Sequence, residues 1–426
     1  MGLNFLPTEL VEHIANHLDL PGFRSFRLVC HSLQHQSTHH FRERFFRKRT
    51  TTWTIESFQT ALAVTSHLDF GNALQDLYVD ATPRHSIRLW RMKTQLQDNN
   101  IFFSNLSVED EQEAKESADA QARQWNQTRF DQKVLLKMFE RIKVLQSITF
   151  EYEGMEARYG KFGRRYCETS QNEMSRPFVS TMNAIVASGI TVQNIYMDNE
   201  KKHGAVSIGR LESLSPALSK FDAVFENLHT LNLNLRDWRH PEEGFEPLIQ
   251  HVPFVVRFLA KCRNIRNLEM SCYSSLEDDI FSDMAKYCAF LYLKSCKLNL
   301  FRVYAATDLL TFLGRSQSTL RSLSLSHIVL RDDYADWSEV MLRMANELES
   351  LESLELHALF TRIGNNIAFP ATAQGCYPVP RVRSMTLTAP DLQETLRKRA
   401  LNLGIHEAGP AWHVAAVAYP FVGLRT

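Results

Sequence analysis

The segments Leu320-Arg-Ser-Leu323-Ser-Leu325 and Leu351-Glu-Ser-Leu354-Glu-Leu356 decide the fold, because one pattern occurs twice, 31 residues apart. An apolar residue is followed by two others and then by an alternating apolar pair, which is typical of a β-strand with one buried face. The same pattern begins at further positions: Leu74, Leu145, Val192, Leu228, Ile265, Leu291 (as Leu291-x-Leu293-x-x-Cys296-x-Leu298) and Val382. An internal repeat of this kind sets the architecture.

The intervals between these strands contain helix-like stretches. They are Phe245–Leu259, Leu276–Tyr287, Leu309–Leu313 and Ser338–Leu348. Each unit is therefore predicted to be strand, loop, helix, and about nine stacked units bury what one cannot. The units resemble leucine-rich repeats of an irregular kind. The resemblance implies an α/β solenoid over 51–426, with an inner parallel sheet, outer helices and polar insertions near 105–125 and 153–176.

Composition limits the classes of function. Lys+Arg and Asp+Glu both total 48, so charge alone gives no support for a nucleic-acid partner, and we expect none. Seven cysteines without a CxxC pair favour a reducing compartment over disulfides or zinc. No apolar run is long enough to span a membrane, so we expect no membrane partner. Acidic residues interrupt the apolar segment at the N-terminus, so we expect no secretory signal peptide.

The first 46 residues are predicted to be helical. Leu10, Ile14 and Leu18 form a stripe over 8–18, with Thr8 as the N-cap, and Asp19-Leu-Pro-Gly22 ends this helix. A second helical stretch covers 23–33 and continues towards Phe46. So short a module cannot bury all of its apolar side chains, so some should face a partner.

The order Leu6-Pro7-Thr8-Glu9-Leu10, Ile14, Leu18 and Phe26-Arg27-Leu28-Val29-Cys30 resembles the F-box. Leu33 stands where many F-boxes have Trp. The chain is thus similar to F-box proteins with irregular leucine-rich repeats of the fungal type. The resemblance implies an all-α F-box over 1–50 that binds a Skp1-like adaptor, and through it cullin and RING subunits. The implied contact residues are Leu6, Pro7, Leu10, Ile14, Leu18, Leu28, Val29 and Cys30. The alternative is that these residues are the core of a helical cap.

A target protein of unknown identity is expected on the solenoid. In alternating strands, the residues between the leucines face the concave side. The candidates on this face are Tyr196, Asn232, Asn234, Arg236, Tyr292, Lys294 and His357. A further candidate is the loop 158–166, which interleaves aromatic residues with Arg158, Lys161, Arg164 and Arg165. The alternatives are a solvated sheet face with target binding at loops, and an ordinary surface loop at 158–166.

Other residue patterns give weaker indications of function. The pair His13/His17 and the series His31, His35 and His39 have the spacing of one helix face, which suits a metal or a polar face. The basic run over 42–49 suits an acidic partner or a solvated helix end. The chain has no nucleophile elbow, glycine-rich nucleotide loop or zinc signature, so we expect no enzyme, catalytic residue, cofactor or metal.

The resemblance to F-box proteins implies that this chain is the substrate-recognition subunit of an SCF-type ubiquitin ligase, and we expect it in the cytoplasm, the nucleus or both. The alternative is an F-box/Skp1 scaffold or regulatory binding protein acting outside a cullin ligase.

Overall fold

The structure is a computed structural model. It describes residues 6–83, 108–142, 144–152, 168–197, 204–236, 252–272, 280–331, 336–361, 366–370 and 381–406. The helices are α1 Thr8–Asn16, α2 Leu20–Leu28, α3 His31–Phe45, α4 Ile55–Thr65, α5 Val108–Thr128, α6 Phe130–Phe139, α7 Glu168–Ser188, α8 Ile208–Leu211, α9 Phe221–Val224, α10 Phe254–Leu259, α11 Ile280–Tyr287, α12 Ala306–Gly314, α13 Trp337–Glu347 and α14 Leu392–Ala400, with 3₁₀ turns at Gly71–Ala73 and Glu212–Lys220.

The strands alternate with these helices along most of the chain. They are β1 Lys48–Thr52, β2 Asp76–Asp80, β3 Val144–Glu151, β4 Thr191–Met197, β5 Val206–Ser207, β6 Thr230–Arg236, β7 Asn267–Cys272, β8 Ser295–Asn299, β9 Arg302–Val303, β10 Ser322–Ser326, β11 Val329–Leu330, β12 Ser353–His357, β13 Asn366–Pro370, β14 Arg381–Val382, β15 Ser384–Thr388 and β16 Gly404–His406.

Among the described residues, the main sheet follows the order β1-β2-β3-β4-β6-β7-β8-β10-β12-β15, and β5 pairs with the end of β6. The neighbours from β1 to β12 are parallel, as expected for strands joined through helices. The α/β solenoid with an inner parallel sheet and outer helices is therefore present.

The repeat pattern aligns in register across the sheet. Leu231 lies beside Leu268, Leu268 beside Cys296, and Cys296 beside Leu323. These side chains are buried and share one continuous core with the helices. In α10, for example, every residue except Arg257 is buried. A single strand has no partner for its apolar face, so the stacking of neighbours supplies the burial.

Three consecutive strands end in the same unusual turn. Leu300, His327 and Ala358 follow β8, β10 and β12, and each has a positive φ, of 63°, 53° and 47°. Leu300 and His327 donate their backbone N–H to the next strand, as from His327 to the carbonyl of His357 at 2.9 Å, and Ala358 donates to Arg383, just before β15. The turn directs the chain from the inner sheet towards β9 and β11, which pair beside it. The left-handed conformation costs a non-glycine residue about 1–2 kcal/mol.

The first helices differ from the prediction at their ends. Thr8 is not the N-cap, because α1 begins at Thr8 after Pro7 and has no side-chain cap. Asp19 is the N-cap of α2 and accepts from the Gly22 N–H at 2.8 Å, so Leu20, Pro21 and Gly22 start a helix instead of separating two. Proline suits this position because its missing N–H would be unpaired in the first turn anyway.

The predicted boundary between the helical module (1–50) and the solenoid (51–426) falls within strand β1. β1 pairs with β2 from Lys48↔Asp76 to Thr52↔Asp80, so the sheet begins before residue 51. The helix after this strand is α4, whose Phe58 and Ala61 are buried in the main core. It connects two neighbouring strands and so is the helix of the first repeat.

Two predicted repeat strands were wrong in register or direction. The unit at Leu291 forms its strand only from Ser295, so the pattern starts at Leu293-x-x-Cys296-x-Leu298. The unit at Val382 forms β15, which runs antiparallel to β12, with Leu354 beside Leu387. The last strand therefore reverses the direction of the array.

The predicted polar insertions take part in packing where the structure describes them. α5 covers 108–128, and its Trp125 is buried. Arg176 lies on α7, in the second predicted insertion, and its Nε is 2.7 Å from Oδ2 of the buried Asp131 on α6. Arg176 also donates to Asn126 on α5 at 2.6 Å. One arginine thus joins three helices; 105–107 and 153–167 lie outside the described residues.

A pair of buried alanines tests the strained turn. We expect Ala345→Gly in α13 to lower the free energy of unfolding by about 1 kcal/mol, since glycine weakens a helix interior. Ala358→Gly should cost less or stabilise, because relief of the left-handed strain offsets the same entropy loss. Urea unfolding of both variants measures the difference. Equal destabilisation would show that the turn at Ala358 is unstrained.

Candidate functional site

The helical module, residues 6–46, has a core of its own. Phe23 is fully buried, and its ring lies 5.1 Å from that of Phe41 and 5.7 Å from that of Phe45. Both α1 and α2 pack against α3. Val11 and Leu33 are also buried. The buried residues of this core are thus not among the eight predicted adaptor contacts.

None of the eight predicted adaptor contacts is buried. Leu28 is 85% exposed, Val29 62% and Leu10 50%. Pro7 is also exposed; the half-buried ones are Leu6, Ile14, Leu18 and Cys30. Only Leu18 packs against the Phe23 cluster. Large apolar side chains left in water on a module with a complete core are typical of an interaction surface.

Arg27 packs against the core of the module, whereas the two residues that follow it, Leu28 and Val29, are exposed. Its Cζ lies 4.2 Å from the centre of the Phe41 ring, and its Nη2 donates to Thr38 Oγ1 at 3.2 Å. Burial lowers the pKa of Arg27, and the charge of Asp69 opposes that effect. The guanidinium stays charged, and its contact with the ring face is favourable. Arg27 therefore faces the core of the module, whereas Leu28, the last residue of α2, and Val29, its C-cap, are exposed.

The module is attached to the first repeat through Phe70. Its ring stacks on Phe46 with centroids 4.3 Å apart and contacts Phe41 at 5.8 Å. Arg27 also reaches this ring, with Cζ 5.7 Å from its centre. Phe70 belongs to the turn between α4 and β2, so an aromatic cluster shared by both parts fixes their relative orientation.

The basic run at 42–49 is largely used inside the molecule. Arg44 donates to the carbonyls of Ala15 and Asn16, at 2.7 and 3.1 Å, and so caps the C-terminus of α1. Arg47 donates to Gln146 at 2.9 Å and pairs with Asp76 at 3.5 Å. Neither of the sequence-based alternatives describes these two arginines, which join elements that are distant in sequence.

The concave face has a row of polar side chains across its C-terminal half. Glu269, Lys297, Ser324, Glu355 and Thr386 lie side by side on consecutive strands. Lys297 Nζ is 3.7 Å from Glu269, and Ser324 Oγ donates to Glu355 at 3.0 Å. The row therefore presents charges of both signs together with hydroxyl groups. Its exposed members are Lys297, Glu355 and Thr386.

The predicted target-binding residues on β4 and β6 are less accessible. Tyr196 is half-buried, whereas Asn232, Asn234 and Arg236 are buried, Arg236 to 2% exposure. Asn234 donates its side-chain N–H to the carbonyl of Gly204 at 3.0 Å. β5 also pairs with the end of β6, at Leu235 and Arg236. These three residues therefore are not an open binding surface, contrary to the prediction.

The observed start of β8 removes two more predicted target-binding residues from the concave face. Tyr292 and Lys294 are exposed but precede the strand, and the Lys294 carbonyl accepts from Arg321 and Ser322. Lys297 and Asn299 occupy the concave positions instead. The alternation Leu291-x-Leu293 misdirected the prediction, although Leu293-x-x-Cys296-x-Leu298 carries the full repeat pattern.

His357 ends β12 at an exposed concave position, beside His327 of the strained turn. The two rings meet edge to face, with centroids 5.1 Å apart. His327 Nδ1 lies 2.9 Å from Ser326 Oγ and 3.2 Å from Asn299 Oδ1. Burial and then the charge of His357 lower the pKa of His327 to about 4. His327 is therefore neutral at physiological pH and part of the polar network.

Buried thiols give no support for a nucleophile. Burial raises the pKa of both Cys288 and Cys296 to about 12, so neither is a thiolate near neutral pH. In the part of the chain that the structure describes, no group of three or more His, Cys, Asp or Glu side chains is placed to hold a metal ion. No described helix has the length and apolar character to cross a membrane. Arg158, Lys161, Arg164 and Arg165 lie outside the described residues.

Comparison with known proteins finds similarity to solved structures but not to a known family. No protein-family model matches the chain, and no curated protein matches it. The chain is similar to the crystal structure of the leucine-rich repeat-containing protein LegL7 from Legionella pneumophila, with 14% sequence identity and a TM-score of 0.27. The match covers 75% of this chain and 92% of that chain.

The lowered pKa of His327 predicts acid sensitivity. Between about pH 4 and pH 6.5, His327 binds more protons in the unfolded chain than in the folded chain. The His327 contribution to the free energy of unfolding is therefore complete above 6.5 and decreases as the pH falls towards 4. His327→Asn, which tolerates the left-handed turn, should flatten this decrease in urea titrations across that range, while exposed His31→Asn should not. An unchanged slope for His327→Asn would contradict the assignment.

The Phe70 cluster predicts selective loosening of the junction. Phe70→Ala removes the stack on Phe46, so amides of α1 to α3 should exchange faster with solvent while those of β10 and β12 keep their protection. Hydrogen exchange resolves these segments. Tyr304→Ala, an exposed aromatic away from the junction, is the control. Uniform loss of protection along the chain would show that Phe70 supports the whole array and not the junction.

Proposed function

We propose that this chain is the substrate-recognition subunit of an SCF-type ubiquitin ligase, working in the cytoplasm, the nucleus or both. Its helical module binds a Skp1-like adaptor, which brings the cullin and RING subunits, and its solenoid binds a target protein. The observation that carries the proposal is the exposure of Leu10, Leu28 and Val29 at positions of the F-box-like motif.

The energetics favour a protein partner for these side chains. Full burial of a Leu or Val side chain contributes about 1.5–3 kcal/mol, so three such residues supply on the order of 5–9 kcal/mol before the costs of association. The module's core already contains Val11, Phe23, Leu33 and Phe41, so exposure of the three is compatible with folding. A helical partner surface with apolar grooves would complete the burial.

The target end is proposed on the C-terminal half of the concave face. Lys297, Glu355 and His357 are exposed there, and the row has two carboxylates, Glu269 and Glu355, against the single charge of Lys297. Such a surface suits a polar or basic segment held by hydrogen bonds to alternating side chains. No bond is made or broken on this chain in the proposed role. The ligase would act by holding a target lysine close to a ubiquitin-loaded enzyme.

The adaptor end is tested by copurification with purified Skp1. We expect Leu10→Asp/Leu28→Asp to abolish the complex, because each carboxylate would be buried unpaired at the interface. Leu401→Asp is the matched control, since Leu401 is exposed at the other end of the described chain. Circular dichroism should show all variants folded.

The outcomes separate the possibilities. No binding by the unsubstituted chain, or unchanged binding by the double variant, would contradict an F-box-type interaction. Binding of Skp1 without recruitment of cullin in a reconstituted mixture would instead support the scaffold role outside a ligase.

A further inference from the structure

The pairing between β4 and β6 stops partway along the two strands. They pair at Asn194↔Thr230 and Ile195↔Leu231 and no further. Towards its end β6 pairs with β5 instead, at Leu235 and Arg236. In open α/β sheets, ligands typically bind where neighbouring strands diverge at their carboxyl ends. The residues directly beyond the last pair therefore lie at a place in the sheet that suits recognition of a target side chain.

Asn232 is the first residue of β6 beyond that last pair. Its neighbours in the strand, Leu231 and Leu233, are buried in the core, so its side chain faces the concave side. Asn232 is 7% exposed, and in the part of the chain that the structure describes its Oδ1 accepts no hydrogen bond. Buried polar atoms are nearly always hydrogen-bonded, because an unpaired one has lost its bond to water without replacement. The Asn232 carbonyl is thus an acceptor that lacks a donor.

Two side chains flank Asn232 on the neighbouring strands. Tyr196, the first residue of β4 beyond the last pair, is half-buried on one side. On the other side, Asn232 pairs in register with Glu269 of β7. The Glu269 side chain is 34% exposed, and Lys297, which is itself exposed, approaches its Oε2 only to 3.7 Å. Neighbouring strands lie about 4.8 Å apart, so one group placed over Asn232 is within reach of both flanking side chains.

A carbonyl oxygen, a carboxylate and an aromatic ring together suit a guanidinium group. Guanidinium has only donors, in a planar fork, so it can donate to Asn232 Oδ1 and to the Glu269 carboxylate at once. The face of the Tyr196 ring attracts the same charge. An anion would meet the charge of Glu269, and an apolar side chain would leave the Asn232 carbonyl unpaired. The charged residue on the same face of β6 is Arg236, whose Cα is about 13 Å further along the strand.

We propose that Tyr196, Asn232 and Glu269 form a subsite for an arginine side chain of the target protein. This inference deepens the target end of the proposed function and rests on it. Asn232 is the floor of the subsite, so its burial in the free chain is expected, and the side chains of Tyr196 and Glu269 move apart to admit the arginine. Because Glu269 is also the first residue of the polar row, a target segment held along that row places its arginine over Asn232.

Peptide titrations against the full chain test the subsite. The probe is acetyl-Gly-Arg-Gly-amide, and the same peptide with citrulline in place of arginine is a neutral control of nearly equal shape. We expect the arginine peptide to shift the NMR signals of the Asn232 side-chain amide, and the citrulline peptide to bind at least tenfold more weakly. Glu269→Gln and Asn232→Leu should each weaken binding of the arginine peptide about tenfold, the effect of losing one hydrogen bond to a charged group. Glu339→Gln, which changes an exposed carboxylate on the outer helix α13, is the matched control and should bind as the unsubstituted chain does.

The outcomes separate this inference from the proposed function. Equal binding of the two peptides, or unchanged binding after Glu269→Gln, would overturn the subsite. If Asn232→Leu stabilises the free chain and leaves arginine binding unchanged, the carbonyl has only a structural effect and the inference is wrong. Binding of Skp1 without binding of the arginine peptide would leave the proposed function standing and the subsite refuted. Binding of the arginine peptide by a chain that does not bind Skp1 would support the subsite and contradict the ligase role.

Discussion

The in-register stacking of buried apolar residues on neighbouring parallel strands is the constraint on which the rest of the structure depends. Leu323 is buried between Cys296 and Leu354, and each of these depends on its own neighbours in the same way. Stability in such an array is a sum of nearest-neighbour terms, so no unit is independent. The requirement fixes the leucines on one face, and the residues between them are thereby left on the other face to vary with function.

A nearest-neighbour array has to end somewhere, and its two ends differ. β1 begins directly after the helical module, whose Phe46 packs on Phe70 of the first repeat. At the other end β15 runs antiparallel to β12, and β13, β14 and β16 form a separate short sheet. A reversed last strand does not offer the parallel edge that another repeat would need.

The sequence predicts the parallel strands from β2 to β12 because period and burial are local signals. It fails where a longer-range contact decides. The direction of β15 depends on its pairing with β12, and nothing in Val382-x-x-Met385-x-Leu387 encodes direction. Asn234 looks like an open-face residue, but its partner is the carbonyl of Gly204, on a separate segment. The outward faces of α1 and α2 could be anticipated only because the module has more apolar residues than so short a chain can bury.

Arg27 links the proposed docking surface to the orientation of the whole array. Its guanidinium is held between Phe41 of the module and Phe70 of the first repeat, and the same helical turn leaves Leu28 exposed. A protein that acts by proximity requires a fixed distance between its two binding ends, since effective concentration falls when the joint between them is loose. Placing a half-buried cation at that joint makes both properties depend on one contact. If the proposed function is correct, a change at Arg27 would therefore disturb both adaptor docking and the orientation of the array, whereas a change at Leu28 would affect docking alone.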